Sequence, residues 1–534
     1  MKVHDRGEQW NDYIEVGFGL EIQTESNNIK EIRLSSTDKK MTELYYTKES
    51  FLEALRDMVD EYNLRFESKN AKTLLVIYTD NLMKIEGFFK ENVTDKINDL
   101  YVQLFNFFEF RNILKWKDLH TAEEIAEHAQ YLIDTLFLPD KYFYITPNQV
   151  PRRAIKKACN DKTAKNIYPV SYRNYAKYRQ GLYGGLCYAP YKDLVIEEPL
   201  ICIDLTSAYI YDLLIEKHCI TPFKSVNPAN WEYYLNSAKM TSIGYYRISY
   251  SCYSNKVHCF KDESNNRFEK GENVVYTVMT SVDLKTLFEL ANIIEIDCIW
   301  LDACEYGDLP RYIINEVVKQ YIKKIDLKND GDVKAYNLQK SIVNGIFGDC
   351  IRDYDEDEFN KSKKHPSVAP QWGIWCCSYA KRNLLKLANK VEGWVYSDTD
   401  SIYCNDTKEN RALVKEYNKE VQEKVKVFCK KYGYDYEKLK DLGTFKIEKE
   451  IKKFKAITQK VYMYTTKSGE FKLVAAGLDQ STIKVDESLY DTKLKYGSRL
   501  FKYIDEEGYH EVRKGGMEAM LYTIIEAAQA KKQY

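Results

Sequence analysis

The chain has 534 residues, a length that corresponds to three or four domains of about 150 residues. Lys plus Arg number 79 and Asp plus Glu 80, for a formal net charge of −1. That excludes a globally basic protein of the histone or ribosomal type but not a nucleic-acid partner, because only the local field at a groove matters. Hydrophobic residues at 44% exclude a wholly disordered chain, and aromatics reach 14% with 45 Tyr, which either pack in a core or stack on bases.

In chain order, residues 1–145 read as alternating strands and helices. Leu74–Tyr78 has the composition of a short buried strand. Thr121–Leu136 reads as a helix opened by a Thr cap and by Glu123 and Glu124. Pro139 and the stretch from Pro147 to Pro151 mark a boundary. Arg152–Arg179 then carries nine Lys or Arg and one acid, Asp161, with Tyr168, Tyr172, Tyr175 and Tyr178 interleaved. That pattern fits either a nucleic-acid groove or a solvated face.

Apolar and β-branched runs at Leu200–Leu205, Tyr245–Tyr250, Val274–Met279 and Ile293–Leu301 are expected strands, and Thr280–Leu284 lies in the same strand-rich stretch. Tyr312–Leu327 and Val333–Phe347 read as a helical hairpin turned by Lys328-Asn329-Asp330-Gly331. The acidic run Asp353–Glu358 is expected to be a solvated loop. A helix over about 374–390, a strand within Gly393–Cys404 and a charged helical stretch over 407–440 follow, and the last seventy residues mix both patterns.

Several chemistries are excluded. The 13 Cys are odd in number without a C-x-x-C pair, which fits reduced thiols, with Cys376-Cys377 as packing, in a cytoplasmic protein. The N-terminus lacks an apolar signal-like stretch and no run of roughly 18 apolar residues occurs, so no membrane partner is expected. P-loop, H-E-x-x-H and G-x-S-x-G patterns are absent.

Three constellations carry chemistry. Asp398 and Asp400 sit two apart in a turn between β-like runs. Like charges that close repel unless a cation or proton is shared, so the pair fits a Mg2+ site, or else a turn with satisfied backbone bonds. Asp204 ends an apolar strand, with Tyr209 five residues on, and would supply a third carboxylate to a two-metal centre. Lys340, Asn344 and Phe347 fall at i, i+4 and i+7, on one helix face.

In that order, D-x-x-S-x-Y at Asp204–Tyr209, K-x-x-x-N-x-x-F-G at Lys340–Gly348 and Y-x-D-T-D-S at Tyr396–Ser401 resemble the three polymerase motifs of family B DNA polymerases. Lys460-Val461-Tyr462 is similar to the family's later K-x-Y motif, so the likeness spans about 260 residues. The 136 residues between Asp204 and Lys340 leave room for an insertion, as in the protein-primed branch of bacteriophages and linear mobile elements. Gly181-Leu182-Tyr183-Gly184-Gly185 resembles that branch's template-binding Tyr-x-Gly-Gly motif, with Leu182 in the Tyr position and Tyr183 as its substitute.

The resemblance implies an α+β multidomain fold: a right-hand polymerase of palm, fingers and thumb, preceded by an RNase H-like exonuclease-type domain. Its limits would be 1–147 for the exonuclease-like domain, 148–310 for palm with an insertion at about 215–306, 311–348 for fingers, 349–463 for palm and 464–534 for thumb. It further implies a template-directed DNA polymerase, monomeric, acting on template, primer and dNTPs with two Mg2+ ions, or Mn2+ in their place. The primer is expected to be a terminal protein, in phage or mobile-element replication in a host cytoplasm. The alternatives are a nucleic-acid-primed repair or defence polymerase and a catalytically silent relative.

Residue by residue, the resemblance makes Asp204, Asp398 and Asp400 catalytic, and Asp204, Asp400 and the Leu205 carbonyl metal ligands. Leu205, Tyr209, Lys328, Lys340, Asn344 and Phe347 would hold the dNTP, with Tyr209 against the deoxyribose. Tyr183, Gly184, Gly185, Lys460 and Tyr462 would hold DNA. Lys446, Lys449, Lys452, Lys453 and Lys455 add a basic surface or a solvated face. Departures are Ala208 and Ile210 around Tyr209, Gly345 and Phe347 in the second motif, and only about 25 residues (349–373) between the second and third. That short insertion argues against high processivity and strand displacement.

The exonuclease motifs are degraded. Asp12, Glu15 and Glu21 do not form the family's D-x-E; Glu86 stands one residue late in the second motif; Glu124 and His128 replace the Tyr and Asp of the third. Proofreading is expected to be absent.

Overall fold

The computed structural model describes residues 18–25, 28–37, 41–46, 48–65, 75–79, 102–106, 121–136, 155, 163–253, 255–364, 366–475, 487–491, 501–505 and 508–512. The chain divides into two compact units: Met1–Ala154 with Lys319–Ile346, and Ile155–Val318 with Phe347–Tyr534.

The first unit is built on a five-stranded sheet. In chain order come β1 (Phe18–Glu25), β2 (Asn28–Ser36), β3 (Met41–Tyr45), α1 (Lys48–Arg65), β4 (Leu75–Thr79), β5 (Val102–Asn106) and α2 (Ala122–Leu136). The strand order is β3-β2-β1-β4-β5, with β2 antiparallel to both neighbours and β4 and β5 parallel to β1. One reversed strand in this order is the RNase H-like topology. The expected strand at Leu74–Tyr78 is β4, one residue later. α2 opens with the reciprocal cap its sequence announces: Thr121 Oγ1 accepts from Glu124 N at 3.2 Å, and the Glu124 carboxylate accepts from Thr121 N at 3.4 Å. α2 packs on β1 so closely that a Cβ on Gly19 would stand 2.1 Å from Ala122 O and 2.5 Å from Ala126 N.

The second unit begins with α3 (Thr163–Ile167), α4 (Tyr172–Arg179), β6 (Leu186–Tyr188), β7 (Val195–Ile196), β8 (Leu200–Leu205) and α5 (Ala208–Ile215). Next are β9 (His218–Cys219), β10 (Lys224–Val226), α6 (Trp231–Asn236), β11 (Met240–Cys252), β12 (Gly271–Thr280), α7 (Ser281–Leu290) and β13 (Asn292–Gly307). The helical hairpin, α8 (Arg311–Asn329) and α9 (Val333–Cys350) with the turn residue Gly331 at φ +79°, belongs over Lys319–Ile346 to the first unit and otherwise to the second. Then follow α10 (Glu356–Lys364), α11 (Pro370–Ala388), β14 (Ser397–Thr399), β15 (Ser401–Asn405), α12 (Lys408–Tyr432), α13 (Tyr436–Leu439), β16 (Phe445–Thr458), β17 (Val461–Thr466) and β18 (Phe471–Ala475), with a hairpin of β19 (Phe501–Asp505) and β20 (Gly508–Val512).

Two antiparallel sheets organise this unit. One runs β15-β8-β16-β17-β18 with β7 on β16; the other, built from the segment between β8 and α8, runs β10-β13-β11-β12 with β9 on β13. α11 is buried along nearly its whole length. The twelve described cysteines form no disulfide and all but Cys298 are buried, in keeping with thiols used as small core residues. Burial pushes several of these thiols up, those of Cys202, Cys259 and Cys377 to about 12.

Four expectations change. The acidic run Asp353–Glu358 is not all loop: Asp355 caps Glu358 N at 2.8 Å, and Glu356, Asp357 and Glu358 form the first turn of α10, whose last turn holds Lys361, Lys363 and Lys364. That charge order suits the helix dipole. Strand character ends at Thr280, whose side chain caps α7 through Asp283 N at 3.1 Å. In the basic segment, Tyr168 and Tyr175 are buried against Phe359, Lys177 pairs with Asp302 at 2.6 Å and Arg179 with Asp353 at 2.9 Å, so these tyrosines serve packing. Arg152, Arg153, Lys156, Lys157, Asp161 and Lys162 lie outside the described residues. In the later basic stretch, Lys446 pairs with Asp441, Lys453 with Glu197, and buried Lys455 donates to Tyr490 O.

Candidate active site

β8 is an apolar, β-branched run buried except at Asp204, which is half-buried. β15 lies beside it with Ser401 opposite Asp204, and Leu205 N donates to Asp400 O at 3.0 Å. This pairing brings the two outer members of the expected carboxylate triad to one end of the sheet.

Asp398 and Asp400 flank the apex of the β14–β15 hairpin. Asp400 N donates to Asp398 O at 2.8 Å, and Thr399 between them has φ +66°. That is a γ-turn of the rare, positive-φ kind, carried by a β-branched residue, and such strain persists only where the surroundings enforce it. Here they do. Ser401 Oγ donates to Asp398 O at 3.2 Å, and β6 pairs with β14, placing Leu186 opposite Thr399 and Cys187 opposite Asp398. Gly185 makes that approach possible: a Cβ there would stand 2.6 Å from Thr399 Cγ2 and 3.0 Å from Thr399 Cα. Gly184, next to it, is exposed and meets nothing within 4 Å of an added Cβ.

Asp398 Oδ1 is held among polar neighbours. Thr399 Oγ1 donates to it at 3.2 Å, Cys187 Sγ lies at 3.6 Å and Lys460 Nζ at 3.4 Å. Burial, and then the Asp398 charge, raise the Cys187 thiol. Lys460 is itself in a left-handed conformation, φ +63°, with its N–H donating to Tyr396 Oη at 2.8 Å. The turn between β16 and β17 is thereby fixed against the β14–β15 hairpin.

Two of the expected DNA contacts point inward. Tyr183 is buried; its hydroxyl bonds Thr277 and the Val278 carbonyl, and Lys381 Nζ lies 4.5 Å from its ring centroid. Its side chain is a core element, not a template contact. Tyr462 is 6% exposed, accepts from Tyr403 Oη at 3.0 Å and packs with Tyr396 and Phe454. It braces the hairpin from behind instead of presenting its ring to a primer.

Among the described residues no three His, Cys, Asp or Glu side chains gather closely enough to hold an ion unaided. Asp204, Asp400 and the Leu205 carbonyl are nonetheless hard oxygen donors of the kind Mg2+ takes when substrate phosphates complete its shell.

The arrangement matches solved structures of phi29 DNA polymerase over almost the whole chain. The complex with primer-template DNA aligns with a TM-score of 0.66 at 14% identity, covering 93% of this chain and 98% of that one. The ternary complex with primer-template and incoming nucleotides aligns at 0.64 and 14% identity, over 93% of this chain and 97% of that one. The complex with single-stranded DNA aligns at 0.63 and 12% identity, over 93% and 98%. The fold is that of a family B DNA polymerase. No family model and no curated protein sequence matches the chain.

Within the polymerase fold, α5 follows β8 through Ser207, at φ +54°, and presents Tyr209. The Tyr209 ring stacks on Phe347 with centroids 4.0 Å apart and planes 6° from parallel. Burial raises the Tyr209 hydroxyl's pKa, with Cys377 and Asp400 adding to the shift. α5 is tied from behind by α11: Cys376 Sγ donates to Tyr209 O at 3.3 Å, and Asn383 Nδ2 to Asp212 Oδ1 at 2.7 Å.

Lys340 and Asn344 are exposed on α9 and Lys328 is exposed at the end of α8; all three belong to the first unit, whereas Phe347 belongs with the carboxylates. In the exonuclease-like unit, Asp12, Glu15 and Glu86 lie outside the described residues. Glu21 stands on β1 opposite Arg33. Glu124 is engaged in the α2 cap. His128 is lowered to about 4, by burial first and then by Lys334.

Sequence reasoning passed over Thr399 as strained, Cys187 as a neighbour of Asp398, and Asp212 and Asn383. Only Thr399 left a trace, as the middle residue of a turn that a β-branched side chain does not favour.

Proposed function

We propose that the protein is a template-directed DNA polymerase that joins a primer hydroxyl oxygen to the α-phosphorus of a dNTP and releases pyrophosphate. The observation that carries this reading is the placement of Asp204 on β8 beside Asp400, the turn residue that leads into its partner strand β15, locked by the 3.0 Å bond from Leu205 N to Asp400 O. Two Mg2+ ions bound there would stabilise charge on the attacking and leaving oxygens. Asp204, Asp400 and the Leu205 carbonyl are the groups that would hold them. Asp398, half-buried and paired with Lys460, sits at the primer side, where Lys460 is free to turn its exposed ammonium to a primer phosphate. Lys340, with Lys328 as a second contact, neutralises the triphosphate; Asn344 and Phe347 frame the base pair; Tyr209 supports the sugar and excludes a 2′-hydroxyl. Gly184 and Gly185 offer backbone to the template.

The intact triad speaks against a silent relative. The β10-β13-β11-β12 sheet, inserted between the first two motifs, favours a terminal protein as primer over a nucleic-acid 3′ end, and with it replication of phage or mobile-element DNA. The palm, fingers and thumb limits stated above belong to the same reading.

Proofreading is absent in this reading. Gly19, two residues before Glu21 and on the same face of β1, stands where a D-x-E motif would place its aspartate, and α2 occupies the space a side chain needs. Primer extension with Mg2+ and dNTPs tests the polymerase reading. The wild type extends, and Asp400→Ala loses at least a hundredfold of activity. Equal extension by both would overturn the metal assignment.

A further inference from the structure

The segment that carries Tyr209 is anchored with unusual care on the side away from the site. Asp212 lies one helical turn after Tyr209 and is wholly buried, among Ile210, Tyr211, Leu213 and Leu214, none more than 4% exposed. A carboxylate in such surroundings is costly unless it is paired or neutral. Its Oδ1 accepts from Asn383 Nδ2 at 2.7 Å, while Oδ2 meets no hydrogen-bond partner. Asn383, 2% exposed, accepts in turn from Arg382 at 3.2 Å, and Arg382 pairs with Glu216 at 2.7 Å. One face of α11 thus reaches the α5 segment repeatedly: Trp372 donates to Cys219 O, Cys376 to Tyr209 O, Tyr379 to Lys217 O and Asn383 to Asp212.

We infer that the buried Asp212–Asn383 bond is a positioning element for Tyr209, fixing the α5 helix so that the Tyr209 ring meets the sugar of the incoming nucleotide at the height that separates deoxyribose from ribose. The inference rests on the polymerase reading and on Tyr209 as the sugar-contacting residue.

Three features single out this bond. It joins two buried side chains, whereas Cys376 and Tyr379 bond only backbone carbonyls of the segment. It sits at i+3 from Tyr209, one turn further along α5. It also engages a carboxyl group whose pKa burial, and then Glu216, raise well above the carboxylate range, with Arg382 and the Asn383 bond itself opposing. A neutral acid donates from one oxygen and accepts at the other, as an asparagine does.

Asp212→Asn therefore retains the bond, Asp212→Leu removes it, and Asp212→Leu/Asn383→Leu removes both of its partners while Arg382 keeps its pair with Glu216. The readout is the ratio of kcat/KM for dNTP over rNTP in single-nucleotide primer extension, with KM and kcat separated and Tm recorded. Asp212→Asn is expected to match the wild type. Asp212→Leu and the double variant are expected to lose roughly tenfold of the ratio, mainly through KM for dNTP. Should Asp212→Leu fail to fold, the double variant gives the answer. An unchanged ratio in a folded double variant, beside a Tyr209→Val control whose ratio collapses, overturns the inference and leaves the polymerase reading standing. A wild type that extends no primer overturns the reading itself.

Discussion

β8 and β1 hold matching places in two different sheets: each is an interior strand that offers an acidic side chain, with a helix nearby. At β8 the surroundings are spent on keeping that acid in company. β15 brings Asp400 alongside Asp204, a strained γ-turn presents Asp398, and Gly185 allows β6 to press on Thr399. At β1 the surroundings close instead. Gly19 lets the α2 backbone into the volume a second acid needs, and Glu21 is left opposite Arg33. In both places a glycine admits a close neighbour, Thr399 of the hairpin in one and the backbone of α2 in the other.

The most forceful way to break this comparison is to restore a carboxylate at β1. Gly19→Asp is expected to cost about 3 kcal/mol or more in the stability of the N-terminal unit, from overlap with Ala122 and Ala126 and a buried charge. No 3′–5′ nuclease activity should appear. Wild-type stability together with trimming of a mismatched 3′ end would show that α2 does not seal the site.

A second route probes the support behind β8 by pH. His218 is fully buried and its pKa is depressed to about 4, chiefly by burial. The unfolded chain takes up a proton near the ordinary value of about 6.5 while the folded chain refuses it. Stability is therefore complete above that pH and declines as pH falls toward 4, by up to roughly 3 kcal/mol. His218→Gln should flatten this slope in urea titrations between those values. Asp212, raised, tilts stability the other way, so the quantity to compare is the wild-type slope minus that of the variant.

Gly185→Ala sharpens the comparison at the palm. Its Cβ, 2.6 Å from Thr399 Cγ2, should shift the hairpin and lower kcat roughly tenfold with little change in Tm. Adding Thr399→Gly should recover part of the loss. Equal kcat in Gly185→Ala and wild type would mean that the β6 contact does not set carboxylate geometry. Smallest is Thr121→Ala, which removes the α2 cap and should cost about 1 kcal/mol of N-terminal-unit stability without affecting extension.

What the sequence made legible follows from how local each signal is. β8, the α8–α9 hairpin with Gly331 and the Thr121–Glu124 cap rest on contacts a few residues apart, and they stand where periodicity and turn chemistry put them. The order of motifs located Asp204, Asp398 and Asp400. Side-chain direction was harder to read. Tyr183 and Tyr462 look like nucleic-acid contacts because tyrosine serves both purposes, and their hydroxyls are satisfied by Thr277 and Tyr403, which lie far away in sequence. The basic run ending at Arg179 fits a groove or a solvated face equally in sequence, because the partners of Lys177 and Arg179, Asp302 and Asp353, lie more than a hundred residues on. Asp212 and Asn383, 171 positions apart, left no pattern at all.

The sequestered thiols have a practical consequence. A maleimide reacts with thiolate at the surface, and all of the described cysteines but Cys298 are buried. Tyr253, 96% exposed in the β11–β12 connection, could be exchanged for an exposed cysteine. A fluorophore attached there would report on the inserted sheet during turnover, with no need to strip the cysteines that the core has recruited as packing.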